Sequence, residues 1–571
     1  MSVATQTPSQ ENPEHSEVTA VPKRRVFTLS LSGPGIAVAA FFFASSLQPS
    51  LLPRAGAVQG LASGITAAIG YGIGAGGQSL WTYLQIPKIK GRARTLVLGV
   101  IFVLIAWSVA FSVWRQVGWQ NEIRELFGMK PVSYTTWPAI IIVMALVFAL
   151  ILIVSRALRL LFSVVGRWLA RRIPRRLAIV LSAVVLLILF WSLITGVLVN
   201  GFFNLANTVF SSRDGSTAPG IEQPALPELS GSPASLVKWD ELGRQGRNFV
   251  ASGPTAADIN EFSGGGALEP IRSYVGLKSA ATLQARADLL LEELKRAGAF
   301  DRQALVLTTT TGTGFLDPAG VDPVEYIFNG DIAVAGVQYS YLPSWISLLA
   351  DQDDVKETSQ VVFDTIHDYW ADLPASSRPK LYLYGLSLGS FGVESVLNSI
   401  DVINEPIDGA VMSGPPFVNP LHSQLVEDRK AGTPEWLPIY GDGRTVRFMA
   451  EEGFASTPGP WGPTRLVYIQ HGSDPVVFFS PSLAWSEPDW LKEGQRPPDV
   501  AERMTWFPLV TFWQVAADLP GAAGVPKGYG HEYSWKANTE AWVAVANLQA
   551  WTLAKTQKLV SLLEKQAHFS D

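Results

Sequence analysis

The 571-residue sequence contains no cysteine. Disulfides, thiolate metal sites and cysteine nucleophiles are therefore excluded, and serine or a carboxylate must do any covalent chemistry. Charge is scarce too: Asp, Glu, Lys and Arg make up 16% of the residues against 48% hydrophobic, an apolar balance that leads us to expect a membrane segment. The net charge of −5 is mild, and no basic stripe interleaved with aromatics lies outside the first third, so nucleic acid is not an expected partner. The glycine-bearing loop Thr309–Gly314, which follows a strand signal, carries neither a G-x-x-x-x-G-K nor a G-x-G-x-x-G phosphate cradle, and no cofactor or metal is expected. Histidine is also rare, at six residues, which keeps the candidate bases few.

What is present divides into two halves. Residues 1–26 read as a disordered cytoplasmic tail ending at Lys23, Arg24 and Arg25. From 27 to 205, apolar stretches of about membrane-crossing length recur at roughly 27–49, 56–84, 95–114, 135–155 and 177–199, which predicts a transmembrane domain of about five helices. The second is rich in glycine, a composition that suits close helix packing or a buried glycine-rich loop. Basic clusters at Lys23–Arg25, Lys88–Arg94 and Arg156–Arg176 all fall on one side of this five-span arrangement. The positive-inside rule then puts the amino terminus in the cytoplasm and everything after about residue 205 outside, with the first span an uncleaved anchor. The arginine-flanked segment 157–170 is amphipathic and suits the inner leaflet.

Residues 206–237, dominated by Pro, Gly, Ser and Glu, read as a linker, and 238–571 alternate strand and helix signals in the manner of a mostly parallel α/β sheet with helices on both faces. Strands are expected at 271–277, 304–309, 332–339, 407–412 and 466–470, and helices at 280–297, 355–373, 391–400 and 537–564. Two stretches, near 415–461 and 478–526, read as insertions that cap the sheet. Aromatics in the first, Phe417, Trp436, Tyr440, Phe448 and Phe454, suit either a grip on acyl chains or a small core.

The leading functional signal is Gly385-Leu386-Ser387-Leu388-Gly389, which follows the apolar run Leu381–Tyr384 and precedes a helical stretch. A serine presented on a sharp strand-to-helix turn needs small residues two before and two after it, so Ser387 is the candidate nucleophile. A serine hydroxyl needs a base, and the base an orienting acid. Of the histidines, His568 is set aside at the extreme carboxyl end, and among the rest only His531, in the glycine-flanked Gly528–Tyr533 loop before the last helix, follows both the serine and a suitable acid. That acid is Asp474, in the Gly-Ser-Asp-Pro turn after the strand at 466–470; Asp408 and Asp442 are rivals at less suitable places, and His471 packs at the strand end or lines the pocket. Oxyanion donors are expected from the amide of Leu388 and from the loop Thr309–Gly314, with Thr310 and Thr311 as candidates.

The run Gln48–Arg54, the segment Thr311–Pro318 and the elbow Gly385–Ser390 together resemble a family of actinobacterial membrane proteins that join a multi-span amino-terminal domain to an α/β-hydrolase catalytic domain. The resemblance covers nearly the whole chain after the tail and implies that fold and a Ser387, Asp474, His531 triad. The expectation is a serine esterase or lipase in the cytoplasmic membrane, acting on acyl esters of envelope lipids or glycolipids at the outer face. An acyltransferase using the same residues, or a non-catalytic assembly or transport component, are the alternatives.

Overall fold

The structure is a computed structural model and describes residues 31–87, 90–192, 200–350 and 352–570. The expected tail, 1–26, and the end of the fifth expected span, 193–199, lie outside the described residues. The amino-terminal region forms helices α1 (Gly33–Ser46), α2 (Gly56–Tyr83), α3 (Gly91–Leu126), α4 (Trp137–Leu169), α5 (Arg175–Ser192) and α6 (Asn200–Asp214). Among the described residues three helices are long and apolar enough to cross a membrane: α3, α4 with the turn before it (Tyr134–Leu169), and α5. The first expected span is a helix of 14 residues, about 21 Å long against a hydrocarbon core of about 30 Å. The second is long enough, but its glycines dilute its apolarity. They serve packing instead: a Cβ on Gly64 would sit 2.8 Å from Val147 of α4, and one on Gly74 would sit 2.4 Å from the Pro34 carbonyl at α1, so α2 is wedged between its two neighbours.

Helix α3 changes character along its 36 residues. Its first half exposes Leu96, Val100, Phe102 and Val103, a surface suited to lipid. From Ser112 onward Gln116, Trp119, Gln120 and Ile123 are buried, because about 54 Å of helix exceeds the bilayer and its end packs against the carboxyl-terminal half.

That half continues with α7 (Gly243–Ala251), α8 (Ala256–Ser263), β1 (Ile271–Val275), α9 (Leu283–Ala297), β2 (Ala304–Thr309), α10 (Pro318–Ile327), β3 (Ile332–Val337), α11 (Ser344–Ala350), α12 (Gln352–Asp372), β4 (Lys380–Leu386), α13 (Leu388–Leu397), α14 (Ile400–Asn404) and β5 (Gly409–Ser413). It closes with α15 (Pro420–Glu427), β6 (Val446–Ala450), β7 (Gly453–Phe454), β8 (Arg465–Ile469), α16 (Pro475–Phe478), α17 (Val510–Asp518), α18 (Trp535–Ala546) and α19 (Leu553–Ser570). The eight strands form one sheet in the order β1-β3-β2-β4-β5-β8-β6-β7, parallel throughout except for the β6–β7 pair. Runs such as Leu305-Val306-Leu307 and Ala333-Val334-Ala335 are buried, as a sheet covered by helices on both faces requires.

Three expectations change. The stretch 415–461 is not wholly a cap: Val446 pairs with Leu466, so β6 and β7 extend the main sheet. The closing helix is two helices, because Asn547 ends α18 in the left-handed conformation at φ 49°. Helix α10 is an addition; Asp317 caps it and Pro318 starts it, but it is buried on all sides and contains Pro323, so it carries no amphipathic period.

Candidate active site

Strand β4 delivers Ser387 from the middle of the sheet, and the chain turns directly into α13. Ser387 itself is at φ 56°, ψ −126°, a conformation side chains rarely adopt and one that persists only when its surroundings enforce it. They do so here by close approach. A Cβ on Gly385 would lie 2.2 Å from the Gly389 carbonyl, and one on Gly389 would lie 2.3 Å from the Thr309 carbonyl oxygen. The Ser387 amide donates to Ser413 O at 2.9 Å, and Ser390 Oγ donates to the Ser387 carbonyl at 2.7 Å.

Asp474 follows β8, the second strand beyond β4 in the sheet, and is fully buried. Its Oδ1 accepts from the Val476 amide at 2.8 Å, and its Oδ2 accepts from the Tyr533 hydroxyl at 2.8 Å and from His531 Nδ1 at 2.6 Å. Burial alone would raise this carboxyl; the His531 imidazole and these hydrogen bonds outweigh it and hold the group below the usual carboxylate range. An ionised carboxylate only accepts, so Nδ1 carries the proton and Nε2 is left with its lone pair. His531 Nε2 is buried and makes no hydrogen bond to any described residue. The ring lies against Gly414, the residue after β5: a Cβ there would be 2.7 Å from His531 Cε1. Because the Ser387 amide bonds Ser413, the next residue back, imidazole and serine share the carboxyl edge of the sheet. Residues 474 and 531 are thus paired, while Ser387 Oγ and Nε2 are not hydrogen-bonded in this conformation, a contact that tightens in many hydrolases only with substrate.

Residues 271–559 match the family described as "Alpha/beta-hydrolase family", and residues 47–254 match the one described as "Alpha/beta-hydrolase family N-terminus". The chain belongs to the α/β-hydrolase family. No curated protein and no solved structure matches it. In this α/β-hydrolase the loop after β2 borders the elbow, as the sequence order required. Thr310 Oγ1 donates to Val337 O at 3.0 Å and pins that loop, and the Thr311 amide is committed to Phe315 O at 3.0 Å. The Leu388 amide, at the first position of α13, has no partner within the helix.

Sequence reasoning missed Tyr533. It bonds Asp474 and stacks on His471 at 4.4 Å, and no motif marks it because it lies within the loop already assigned to His531. His471 is itself buried, with Nδ1 2.9 Å from the Gly530 carbonyl, so it supports the loop that carries His531. The aromatics expected in the cap separate: Phe448 stacks on Tyr468 in the sheet and Phe454 meets Trp461, whereas Phe417 packs by Leu388, Phe391 and Tyr339 beside the elbow.

Behind Ser387, Glu394 of α13 is buried and accepts from Asn419, Tyr468 and the amides of Leu421 and His422. Burial pushes its carboxyl up to about 7 despite those donors. A carboxyl raised in the folded state contributes stability that is full below its unfolded value, near 4.3, and is lost as pH rises towards 7. Thermal unfolding should therefore show stability falling across that window by on the order of 3 kcal/mol from this group. Glu394→Gln should remove that part of the slope; an unchanged profile would refute the assignment.

Proposed function

We propose that this α/β-hydrolase is a membrane-anchored serine esterase that cleaves acyl esters of envelope lipids or glycolipids at the extracytoplasmic face. The observation that carries the reading is the 2.6 Å His531–Asp474 pair, whose unbonded Nε2 is buried at the sheet edge from which Ser387 emerges at positive φ. Ser387 Oγ attacks the acyl carbonyl while His531 Nε2 takes its proton. The oxyanion forms against the Leu388 amide and a second donor from the loop after β2, for which Thr310 is favoured because the Thr311 amide is occupied. Collapse breaks the ester bond, and His531 returns the proton to the departing alcohol. Water, deprotonated by the same nitrogen, then attacks the acyl carbon, and as the acyl–Oγ bond breaks Nε2 returns that proton to Ser387 Oγ and the acid departs. Asp474 keeps the proton on Nδ1 and stabilises the imidazolium.

A lipid substrate is supported by the membrane-length helices and by the apolar cluster of Tyr339, Leu348, Leu388, Phe391 and Phe417 at the elbow. Sidedness is supported by the contacts: the segments that follow the first and third expected spans, both expected on the outer face, touch the α/β half through Arg54–Asp518 and Glu122–Arg503. A fluorophosphonate probe should label the detergent-solubilised protein at one serine, mapped to Ser387 by peptide sequencing. A folded protein that takes up no label, or takes it up elsewhere, would overturn the reading.

A further inference from the structure

The Gln48–Arg54 loop, between α1 and α2, is a prominent motif that the chemistry above does not use. It is buried in the α/β half. Arg54 Nε donates to Asp518 Oδ1 at 2.6 Å and Nη2 to the Gln514 carbonyl at 2.8 Å, while Ser50 Oγ donates to Asp518 Oδ2 at 2.6 Å. Gln48 takes hydrogen bonds from Thr505 and Gln514. Leu51 and Leu52, with Ile123 and Phe127 from the end of α3, share one apolar cluster with Val476, Val477 and Phe478, the residues immediately after the Asp474–Pro475 turn. Phe127 also stacks on Tyr529 at 4.4 Å, two residues before His531. At Gly530, the residue before His531, a Cβ would come 3.1 Å from Leu52 Cδ2. The His531 amide in turn bonds the carbonyl of Ala522, a member of the same cluster.

A tether needs none of this, since a flexible linker alone would keep the domain at the membrane. We infer that the Gln48–Arg54 loop and Phe127 are positioning elements of the active site, so that the helical region sets where His531 and Asp474 stand relative to Ser387. This rests on the serine-esterase reading. Its consequence is regulatory: a shift of α1 or α3 in the bilayer reaches the base through Leu52 and Phe127, without any change at the serine.

The test uses the full chain in detergent and the rate of fluorophosphonate labelling. Phe127→Ala should lower the maximal labelling rate about tenfold while leaving the half-saturating probe concentration unchanged, because misaiming a base by about 1 Å slows chemistry and not binding. Phe127→Leu, which keeps most of the packing volume, should recover most of the rate. If Phe127→Ala does not fold, the smaller change Leu52→Ala decides, with an expected loss of about threefold. Folded variants that label at the wild-type maximal rate, or whose loss only tracks the unfolded fraction, overturn the inference while the esterase reading stands. Failure of the wild type to label overturns both.

Discussion

His531→Ala should lower the rate of acyl-ester hydrolysis by roughly 10⁶-fold, and Asp474→Asn by roughly 10⁴-fold, the sizes these losses take in serine hydrolases with a nucleophile, base and acid in this arrangement. On the proposed mechanism the first removes the imidazole that lies against Gly414, so Ser387 would attack with its proton in place, a loss equivalent to about 8 kcal/mol of barrier. The second keeps the shape but inverts the hydrogen bond. An amide nitrogen facing Nδ1 donates, which moves the imidazole proton to Nε2 and removes the lone pair the serine needs. The remaining amide oxygen still accepts from Val476, and the Tyr533 hydroxyl, which donates to Oδ2 in the wild type, can rotate to accept from the new nitrogen, so Asp474→Asn should stay folded near neutral pH. Steady-state hydrolysis of a short-chain chromogenic ester measures both. Retention of more than a tenth of wild-type activity in His531→Ala would remove it from the role of base.

The largest stability loss is expected at Arg54→Ala, at roughly 3–5 kcal/mol, the cost of leaving one partner of a buried ion pair uncompensated. Arg54 and Asp518 have side chains 1% and 0% exposed, so water does not screen the remaining carboxylate. Burial already outweighs Arg54 and raises the Asp518 carboxyl in the intact protein. Without the guanidinium it rises further, so the penalty applies where the group is charged and is relieved as it protonates. The deficit of Arg54→Ala should therefore shrink as pH falls towards 5, read by thermal unfolding in detergent. Arg54→Met combined with Asp518→Leu leaves no charge behind and should lie close to wild type. A single variant as stable as wild type would mean that the pair contributes nothing.

The pattern of residues was a good guide wherever local chemistry decides. The elbow was legible because a serine forced to positive φ between a strand and a helix admits only small residues at 385 and 389, and the chain spells them. Asp474 and His531 were legible by elimination, with six histidines and no cysteine to choose among. The reading failed where periodicity is silent or shared. β6 looked like part of an insertion because nothing in Val446–Ala450 names its partner, and its place was set by pairing with β8. Nothing in the first apolar stretch marks that its helix runs from Gly33 only to Ser46, after which the chain enters the α/β half.

By itself, then, the sequence determined an apolar helical region of membrane character, an α/β-hydrolase half, the serine elbow, and the order in which Ser387, Asp474 and His531 follow their elements. Those follow from residue type and from spacings of a few positions, which the local backbone reads directly. Tertiary structure alone decided that Tyr533 bonds Asp474 and His471 braces the loop of His531, that Glu394 is a buried carboxyl, and that Arg54 meets Asp518. The two residues of that last pair are 464 positions apart. A contact of that kind depends on how two separately formed surfaces fit, and short-range pattern carries no record of it.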